Sequence, residues 1–368
     1  MHPGICGRIR DVPVRNLLIV AVTIATAIAW LQVLKRTIPY YKDKNLPAGV
    51  GTFFLFGLLS IPVLFVIYLL LPAGWLGYHG IFRVNWGYTM LHAFLEEVAK
   101  WLIFAVVVHR KKPIRSPEDG VLFAAATALA FAILENVAYA GLYGLTVLLI
   151  RSVLTTVGHM SNAAIWGFAW SSLTWQDGGA GNRHTLPLAA TALLPAGILH
   201  GLYNASLYLG IAAGMVVNVL IVTIAFITYR VLLQHSPYRN YSYRDAPEAV
   251  LDLTRALEQN PESIVLRRRR GLYYLRQGRY DNAEADFRHA RDRSGQKSGA
   301  LLFLTAIAVY AQDRDRVRPD QIRAIFFKLP EKSRRALRRQ LPQVLRTNRA
   351  LEQEITTLLA QSHEEDSR

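Results

Sequence analysis

The sequence predicts an all-α protein in which a polytopic membrane domain of about seven transmembrane helices is followed by a soluble helical domain. Long apolar runs fill the chain as far as residue 236, and 52% of all residues are hydrophobic. Beyond that point Arg, Asp and Glu become frequent, and the apolar residues recur at helical spacing. We therefore expect a membrane domain at residues 1–236 and a soluble domain at residues 237–368. The last stretch, SHEEDSR, has the composition of a disordered end.

An apolar run of about 20 residues crosses a hydrocarbon core ~30 Å thick as a helix. The predicted spans are residues 14–34, 51–72, 86–108, 119–142, 148–173, 187–209 and 212–234. The last two come from one long apolar stretch, which we divide at Gly210–Gly214, and the number of spans and their topology depend on this division. The start of the chain also resembles a signal peptide. We favour a retained first helix, since cleavage would leave the basic loop HRKKPIR outside the cell.

Basic residues in alternate loops predict the orientation of the spans. One set of loops carries Lys35, Arg36, Lys42, Lys44, Arg110, Lys111, Lys112, Arg115 and Arg183. The other set carries Arg8, Arg10, Arg15 and Arg83, with Arg151 at a span edge. The positive-inside rule therefore puts the richer set, and the soluble domain, in the cytoplasm. This loop bias and attraction to anionic lipid also explain the net charge of +16, so no nucleic acid partner is expected.

Polar and ionisable residues interrupt four successive predicted spans. An ionisable group inside a membrane costs about 2.5–3.5 kcal/mol on insertion, so each one is a candidate functional residue. They are Glu96, Glu97, Lys100, Glu135, Asn136, His159, His200 and Asn204. At a rise of ~1.5 Å per residue, the acids and histidines lie roughly 10–17 Å from the outer ends of their spans. The sequence therefore predicts one polar site in the outer half of the membrane.

The third span carries the acidic pair of this site. Glu96 lies four residues before Lys100, the favourable direction for a helical ion pair, so Lys100 is predicted to hold Glu96. Glu97 faces about 100° away round the helix, and we favour it as the general base that acts on water, with Glu96 as the open alternative. His92, four residues before Glu96, is expected to make a structural hydrogen bond.

Two chemistries fit these residue types. Two His and two or three Glu are suitable ligands for Zn²⁺, with one position left for water. Alternatively, the site works without a metal, with Glu as the general base and with His200 and Asn204 as donors to an oxyanion.

Three motifs lie in order on these spans. EEVAK at residues 96–100 is an EExxK motif, FAILEN at 131–136 is an FxxxEN motif, and HGLYN at 200–204 is similar to HxxxD. Together they resemble the PrsW family of bacterial intramembrane proteases over roughly residues 50–235. The resemblance implies a multi-pass protein of a bacterial cell membrane that cuts membrane-tethered substrates, such as anti-sigma factors, from the extracytoplasmic side.

The resemblance also implies a set of site residues. The expected catalytic residues are Glu96, Glu97, Lys100, Glu135, His159, His200 and Asn204. The expected metal ligands are Glu97, Glu135, His159 and His200. Asn204 departs from the family pattern, which has Asp there. The related CAAX prenyl protease and bacteriocin-processing group tolerates Asn, but its EExxxR and FxxxH motifs are not matched by Trp101 and Glu135. We therefore expect Asn204 to form a hydrogen bond rather than to bind metal.

The soluble domain contains a segment that resembles one tetratricopeptide repeat, at residues 260–293. Its small and aromatic positions are Pro261, Gly271, Tyr274, Gly278, Tyr280, Ala283, Phe287 and Ala290. The preceding stretch APEAVLDLTRALEQNP resembles the second helix of another repeat, and residues 299–360 are expected to add helices that complete the array. The resemblance implies a cytoplasmic peptide or protein partner; alternatively, the domain only packs against the membrane domain. We expect the run Arg267–Arg270 to be a solvated or lipid-facing surface.

Two other functions remain open at this stage. A proton- or ion-coupled transporter would also carry carboxylates and histidines inside the membrane, and it would have broken helices beside them. A catalytically inactive scaffold would keep the same fold without hydrolysing a substrate.

Overall fold

The computed structural model of the protein describes residues 5–37, 46–72, 86–111, 114, 116–176, 189–234, 236, 239, 246–295 and 298–360. Every regular element in these ranges is helical. The chain folds into two compact units, Met1–Ser236 and Pro237–Arg368.

The helices of the first unit follow the predicted apolar runs. They are α1 (Ile5–Thr37), α2 (Leu46–Gly57), α3 (Ser60–Leu70), α4 (Trp86–Lys111), α5 (Pro117–Tyr143), α6 (Leu145–Gln176), α7 (Leu193–Ser206) and α8 (Ile211–Gln234). Four segments are long and apolar enough to cross a membrane: Val14–Arg36, Gly49–Leu70, Glu118–Tyr143 and Ile211–Val231. Helices also occupy the other three predicted spans. These three helices, α4, α6 and α7, are not among the four apolar segments. Helices α4 and α6 carry charged and polar residues that lower their hydropathy, and α7 has only 14 residues.

The second predicted span is not one regular helix. The chain turns at residues 58–59 between α2 and α3. Pro62 explains this break, because its ring has no N–H and clashes with the carbonyl of the residue four positions before it. The predicted division near Gly210 is present: after a 3₁₀ turn at Leu207–Leu209, Gly210 adopts a φ of +122°, and α8 begins at Ile211.

Helix α5 lies at the centre of the first unit. About 78% of its apolar window is buried, against 11–22% in the other three apolar segments. It packs most extensively against α6, where glycines allow a close approach. A Cβ atom added to Gly167 would lie 2.5 Å from both the carbonyl oxygen of Gly120 and the Cβ of Ala124. Small residues therefore bring α5 and α6 together, as is common between membrane helices.

The second unit is built from short amphipathic helices. They are α9 (Ala246–Gln259), α10 (Ile264–Arg276), α11 (Tyr280–Arg293), α12 (Gly299–Gln312), α13 (Pro319–Phe327), α14 (Glu331–Leu345) and α15 (Arg349–Ala360). Their apolar faces form one core that includes Phe287, Phe303 and Phe326. Helices α10 and α11 approach closely at Gly271, where an added Cβ would lie 2.6 Å from the Phe287 ring.

The expectation for the run Arg267–Arg270 is wrong for two of its members. Arg270 Nε donates to Asp286 Oδ2 over 2.8 Å, and Arg267 Nη1 lies 3.3 Å from Asp286 Oδ1. Asp286 is buried, and its hydrogen bond raises the pKa of the Arg270 guanidinium. These arginines join α10 to α11, because a buried carboxylate requires partners.

Candidate active site

Glu97 is a fully buried carboxylate of α4 that is hydrogen-bonded on both oxygens. Its Oε1 accepts hydrogen bonds from Lys100 Nζ at 2.5 Å and from His200 Nδ1 at 2.9 Å. Its Oε2 accepts from Trp166 Nε1 at 3.0 Å. Helices α4, α6 and α7 each supply one of these donors. Glu97 is therefore held in place and is not free to act as a base.

The predicted pairing of Lys100 with Glu96 is wrong. Lys100 lies three residues after Glu97 and pairs with it instead, and its Nζ also lies 3.1 Å from His159 Nδ1. The ammonium lies 4.5 Å from the centre of the Phe131 ring, which is the first residue of the FxxxEN motif. Both helical spacings, three and four, bring side chains together. Lys100 pairs with Glu97 rather than with Glu96 because of the direction in which its side chain points. The sequence does not show that direction.

Glu96 has the less crowded environment. His92 Nδ1 lies 2.9 Å from Glu96 Oε1, as the four-residue spacing predicted. The other oxygen, Glu96 Oε2, is buried without a hydrogen-bond partner among the described residues. An ionisable neighbour, His200 Nε2, lies 3.7 Å away, beyond hydrogen-bond distance. A buried carboxylate oxygen without a partner is costly, so this atom is a candidate to bind a water or an ion.

His159 of α6 contacts Glu135 of α5. Its Nε2 lies 2.8 Å from Glu135 Oε2, and its ring stands perpendicular to that of His200 at 4.9 Å. Because an ammonium can only donate, His159 Nδ1 accepts from Lys100 and its Nε2–H then donates to Glu135. By the same reasoning His200 Nδ1–H donates to the Glu97 carboxylate. The lone pair of His200 Nε2 therefore faces Glu96.

Three residues bring ligand atoms close enough to share a metal ion. Glu96, His159 and His200 are buried, and one ligand atom from each lies within 4.8 Å of the others. Two imidazoles and a carboxylate are a common zinc set, and the unpartnered Glu96 Oε2 fits the same purpose. The carboxylate that holds His200 Nδ1 is the usual support for a metal-binding histidine. An ion on His159 Nε2 would replace the proton that this nitrogen shares with Glu135.

The structure brings together most of the residues that the sequence predicts for the site. Glu96, Glu97, Lys100, Glu135, His159 and His200 form one chain of polar contacts. Among the predicted metal ligands, Glu97 and Glu135 are engaged in hydrogen bonds, and Glu96 converges with the histidines instead. Asn204 is half-buried and has no polar contact with any described residue.

Sequence reasoning missed two residues that contact the site. Trp166 binds Glu97, and nothing distinguishes this tryptophan from its neighbours in an apolar helix. Arg151 Nη2 lies 2.8 Å from Glu135 Oε2. Arg151 did give a signal, because it is an ionisable residue within a predicted span. Because we assigned Arg151 to the edge of that span, we did not include it among the candidate site residues.

Comparison with known proteins gives a consistent result. A family model described as PrsW family intramembrane metalloprotease matches residues 47–231. Protease PrsW of Shouchella clausii is 32% identical over 115 residues, which are 31% of this chain and 51% of the relative. Protease PrsW of Geobacillus kaustophilus is 31% identical over 153 residues, or 41% of this chain and 63% of the relative. Protease PrsW of Oceanobacillus iheyensis is 29% identical over 191 residues, or 51% and 82%.

The chain thus spans between half and two thirds of the length of the first two relatives. No solved structure matches this chain.

Proposed function

Because the chain belongs to the PrsW family of intramembrane metalloproteases, whose model matches half of its residues, we propose that it hydrolyses peptide bonds of membrane-tethered proteins. The cut lies within or near the outer half of the bilayer. Regulatory proteins of the anti-sigma-factor kind, with one membrane span, are the proposed substrates.

The observation that supports this proposal best is the buried cluster formed by helices α4, α5, α6 and α7. It contains a carboxylate oxygen without a partner among the described residues, Glu96 Oε2, opposite the Nε2 atom of His200. Such a pair suits hydrolysis, because one group can orient the attacking water while the other takes its proton and passes it to the leaving amine. Groups that are fixed in advance by hydrogen bonds lose little free energy when they act.

The residues of the cluster have different proposed roles. Glu96 orients the attacking water, and the lone pair of His200 Nε2 takes a proton from that water and passes it to the leaving amine. Glu97 holds the His200 ring through Nδ1, and it is itself fixed by Lys100 and Trp166. Glu97 is therefore a positioning residue, which reverses the role that the sequence favoured for it.

Glu96, His159 and His200 are also the residues that would hold a metal ion, and their donor types suit Zn²⁺. A zinc ion at such a site lowers the pKa of water and polarises a carbonyl group. The protein residues keep their tasks in that case: Glu97 orients His200, and Lys100 keeps the buried carboxylate charge balanced.

The proposed arrangement in the membrane has about seven spans, because α4, α6 and α7 pack among the four apolar helices and carry the polar site on their buried faces. The bilayer surrounds this domain, in a bacterial cell membrane. The second unit lies in the cytoplasm, where a tetratricopeptide-like array of helices would bind a peptide or protein partner. The loop charges of the sequence support this orientation.

The transporter alternative is less well supported. Ion-binding transporters use the broken ends of membrane helices to coordinate their ions. The helix breaks in the described part of the first unit lie at residues 58–59, at Gly144, at Ala192 and at Gly210, and the candidate site residues lie inside the helices between them. An inactive scaffold would have no need of the unpartnered oxygen of Glu96.

The proposal is tested by reconstituting the purified protein in liposomes with a single-span reporter. We expect the wild type to cut the reporter and His200→Ala to lower kcat by about 100-fold or more, as general acid–base groups do. His109→Ala is the matched control, because His109 is exposed at the end of α4. Equal cleavage by the wild type and His200→Ala would rule out this site. A chelator then distinguishes the two mechanisms: activity lost and restored by Zn²⁺ identifies a metalloprotease.

A further inference from the structure

Arg151 of α6 contacts three residues on one face of α5. Its Nη2 lies 2.8 Å from Glu135 Oε2, and its Nε donates to Asn136 Oδ1 over 3.0 Å. The guanidinium carbon lies 3.8 Å from the centre of the Tyr139 ring. The contacts with Glu135 and Tyr139 are four residues apart on α5, which is the spacing of one helical turn. Arg151 therefore clamps the end of the FxxxEN motif to α6.

The side chain of Arg151 is fixed by a closed ring of hydrogen bonds. Its Nε donates to Asn136 Oδ1, Asn136 Nδ2 donates to Thr156 Oγ1, and Thr156 Oγ1 donates to the backbone oxygen of Arg151. The donor–acceptor distance is 3.0 Å in each case. Asn136 and Thr156 are both buried, and each uses its side chain within this ring. Asn136 and Thr156 therefore fix the side chain of Arg151, and they do not hold the reacting groups directly.

Glu135 lies between this arginine and His159. The same oxygen, Oε2, faces Arg151 Nη2 and His159 Nε2 at 2.8 Å each. The cluster contains three carboxylates, on Glu96, Glu97 and Glu135, and Lys100 forms its ion pair with Glu97. The side chain of Glu135 is 18% exposed, and a carboxylate that has lost most of its contact with water is destabilised without a cation, so Arg151 supplies a second positive charge for the cluster.

We propose that Arg151 is a positioning residue of the proteolytic site, and that Asn136 and Thr156 hold it so that Glu135 is presented to His159. This role rests on the proposed protease function. It also explains the Asn of the FxxxEN motif through its bond to the guanidinium. Arg151 need not touch the substrate, and its loss acts on the rate of the chemical step through Glu135 and His159.

The kinetic test compares Arg151→Met, Arg151→Lys and Thr156→Val in the reporter assay. We expect Arg151→Met to lower kcat about 100-fold with KM within about threefold of wild type, because a small misplacement near the reacting groups is costly. Arg151→Lys keeps the charge but loses the Nε donor, so its kcat should be about tenfold higher than that of Arg151→Met. Thr156→Val should lower kcat roughly fivefold by removing the two hydrogen bonds of the ring that involve the Thr156 hydroxyl. Arg110→Met, on an exposed arginine of α4, is the control.

Two kinetic results would overturn the inference. One is a kcat of Arg151→Met within threefold of wild type. The other is a rise in KM at unchanged kcat, which would make Arg151 a substrate contact instead. If Arg151→Met does not fold, Thr156→Val decides, because it leaves the ion pair with Glu135 intact.

A melting experiment on the detergent-solubilised full chain tests the contact independently of activity. Arg151→Met and Glu135→Gln should each lower the Tm, and the double variant should lower it by clearly less than the two shifts together. Additive shifts would contradict the positioning role. A wild type that cuts no reporter would refute the protease function, while the Tm cycle would still decide whether Arg151 holds Glu135.

Discussion

At the scale of single residues, the adjacent carboxylates of Glu96 and Glu97 have different surroundings, and these support the different roles proposed for them. Glu97 accepts hydrogen bonds on both oxygens, whereas Glu96 keeps one oxygen without a partner among the described residues. The sequence identified both acids from their place in an apolar helix. It could not separate their roles, because the deciding donors, His200 and Trp166, are distant in the chain and their directions depend on helix packing.

Trp166→Phe tests the support of Glu97. The variant keeps an aromatic ring but removes the donor to Glu97 Oε2, so we expect it to lower the free energy of unfolding by about 1.5–3 kcal/mol. Thermal melting of the purified protein in detergent measures this loss. Trp101→Phe is the matched control, because Trp101 Nε1 is buried without a hydrogen-bond partner among the described residues. An equal loss in both variants would mean that ring volume, and not the hydrogen bond, determines the effect.

At the scale of helices, the position of the site depends on how closely α5 and α6 approach. The apolar runs predicted where these helices lie, because hydrophobicity and length are properties of a segment. The break between α2 and α3 was missed, since the apolar run continues through it and only Pro62 marks it. The contact of Gly167 with Gly120 could not be predicted either, because small residues occur on several faces of these helices.

Gly167→Ala tests this close approach. The added methyl group would lie 2.5 Å from the Gly120 carbonyl oxygen, so the helices must separate. We expect a loss of about 1–3 kcal/mol in stability, with reduced cleavage of the reporter. Gly141→Ala, on α5, is the control, because an added Cβ there meets no atom within 4 Å. A Tm for Gly167→Ala equal to that of Gly141→Ala would contradict the packing described.

At the scale of the whole molecule, composition predicts an apolar part followed by a charged part, and the chain folds into two compact units, Met1–Ser236 and Pro237–Arg368. The second unit depends on internal ion pairs that composition does not show. Four consecutive arginines predicted a solvated surface. Two of them, Arg267 and Arg270, instead form ion pairs with Asp286 on the next helix.

Asp286→Asn tests that network. Removing the carboxylate charge leaves Arg267 and Arg270 without their acidic partner, so we expect a loss of about 2–3 kcal/mol in the stability of the second unit. Limited proteolysis of the full chain, followed at sites beyond residue 237, measures it. Asp292→Asn is the control, because its side chain is 60% exposed. Identical proteolysis rates in the two variants would show that the buried pair contributes nothing.

Single-turnover cleavage and thermal melting of Glu96→Gln and Glu97→Gln test whether the buried cluster is the proteolytic site. Glu96 Oε2 has no partner among the described residues, and Glu97 is fully hydrogen-bonded. We therefore expect Glu96→Gln to abolish cleavage while its Tm stays within a few degrees of wild type, and Glu97→Gln to lose both activity and stability. Cleavage by Glu96→Gln at a rate close to wild type would contradict the assignment of the buried cluster as the proteolytic site.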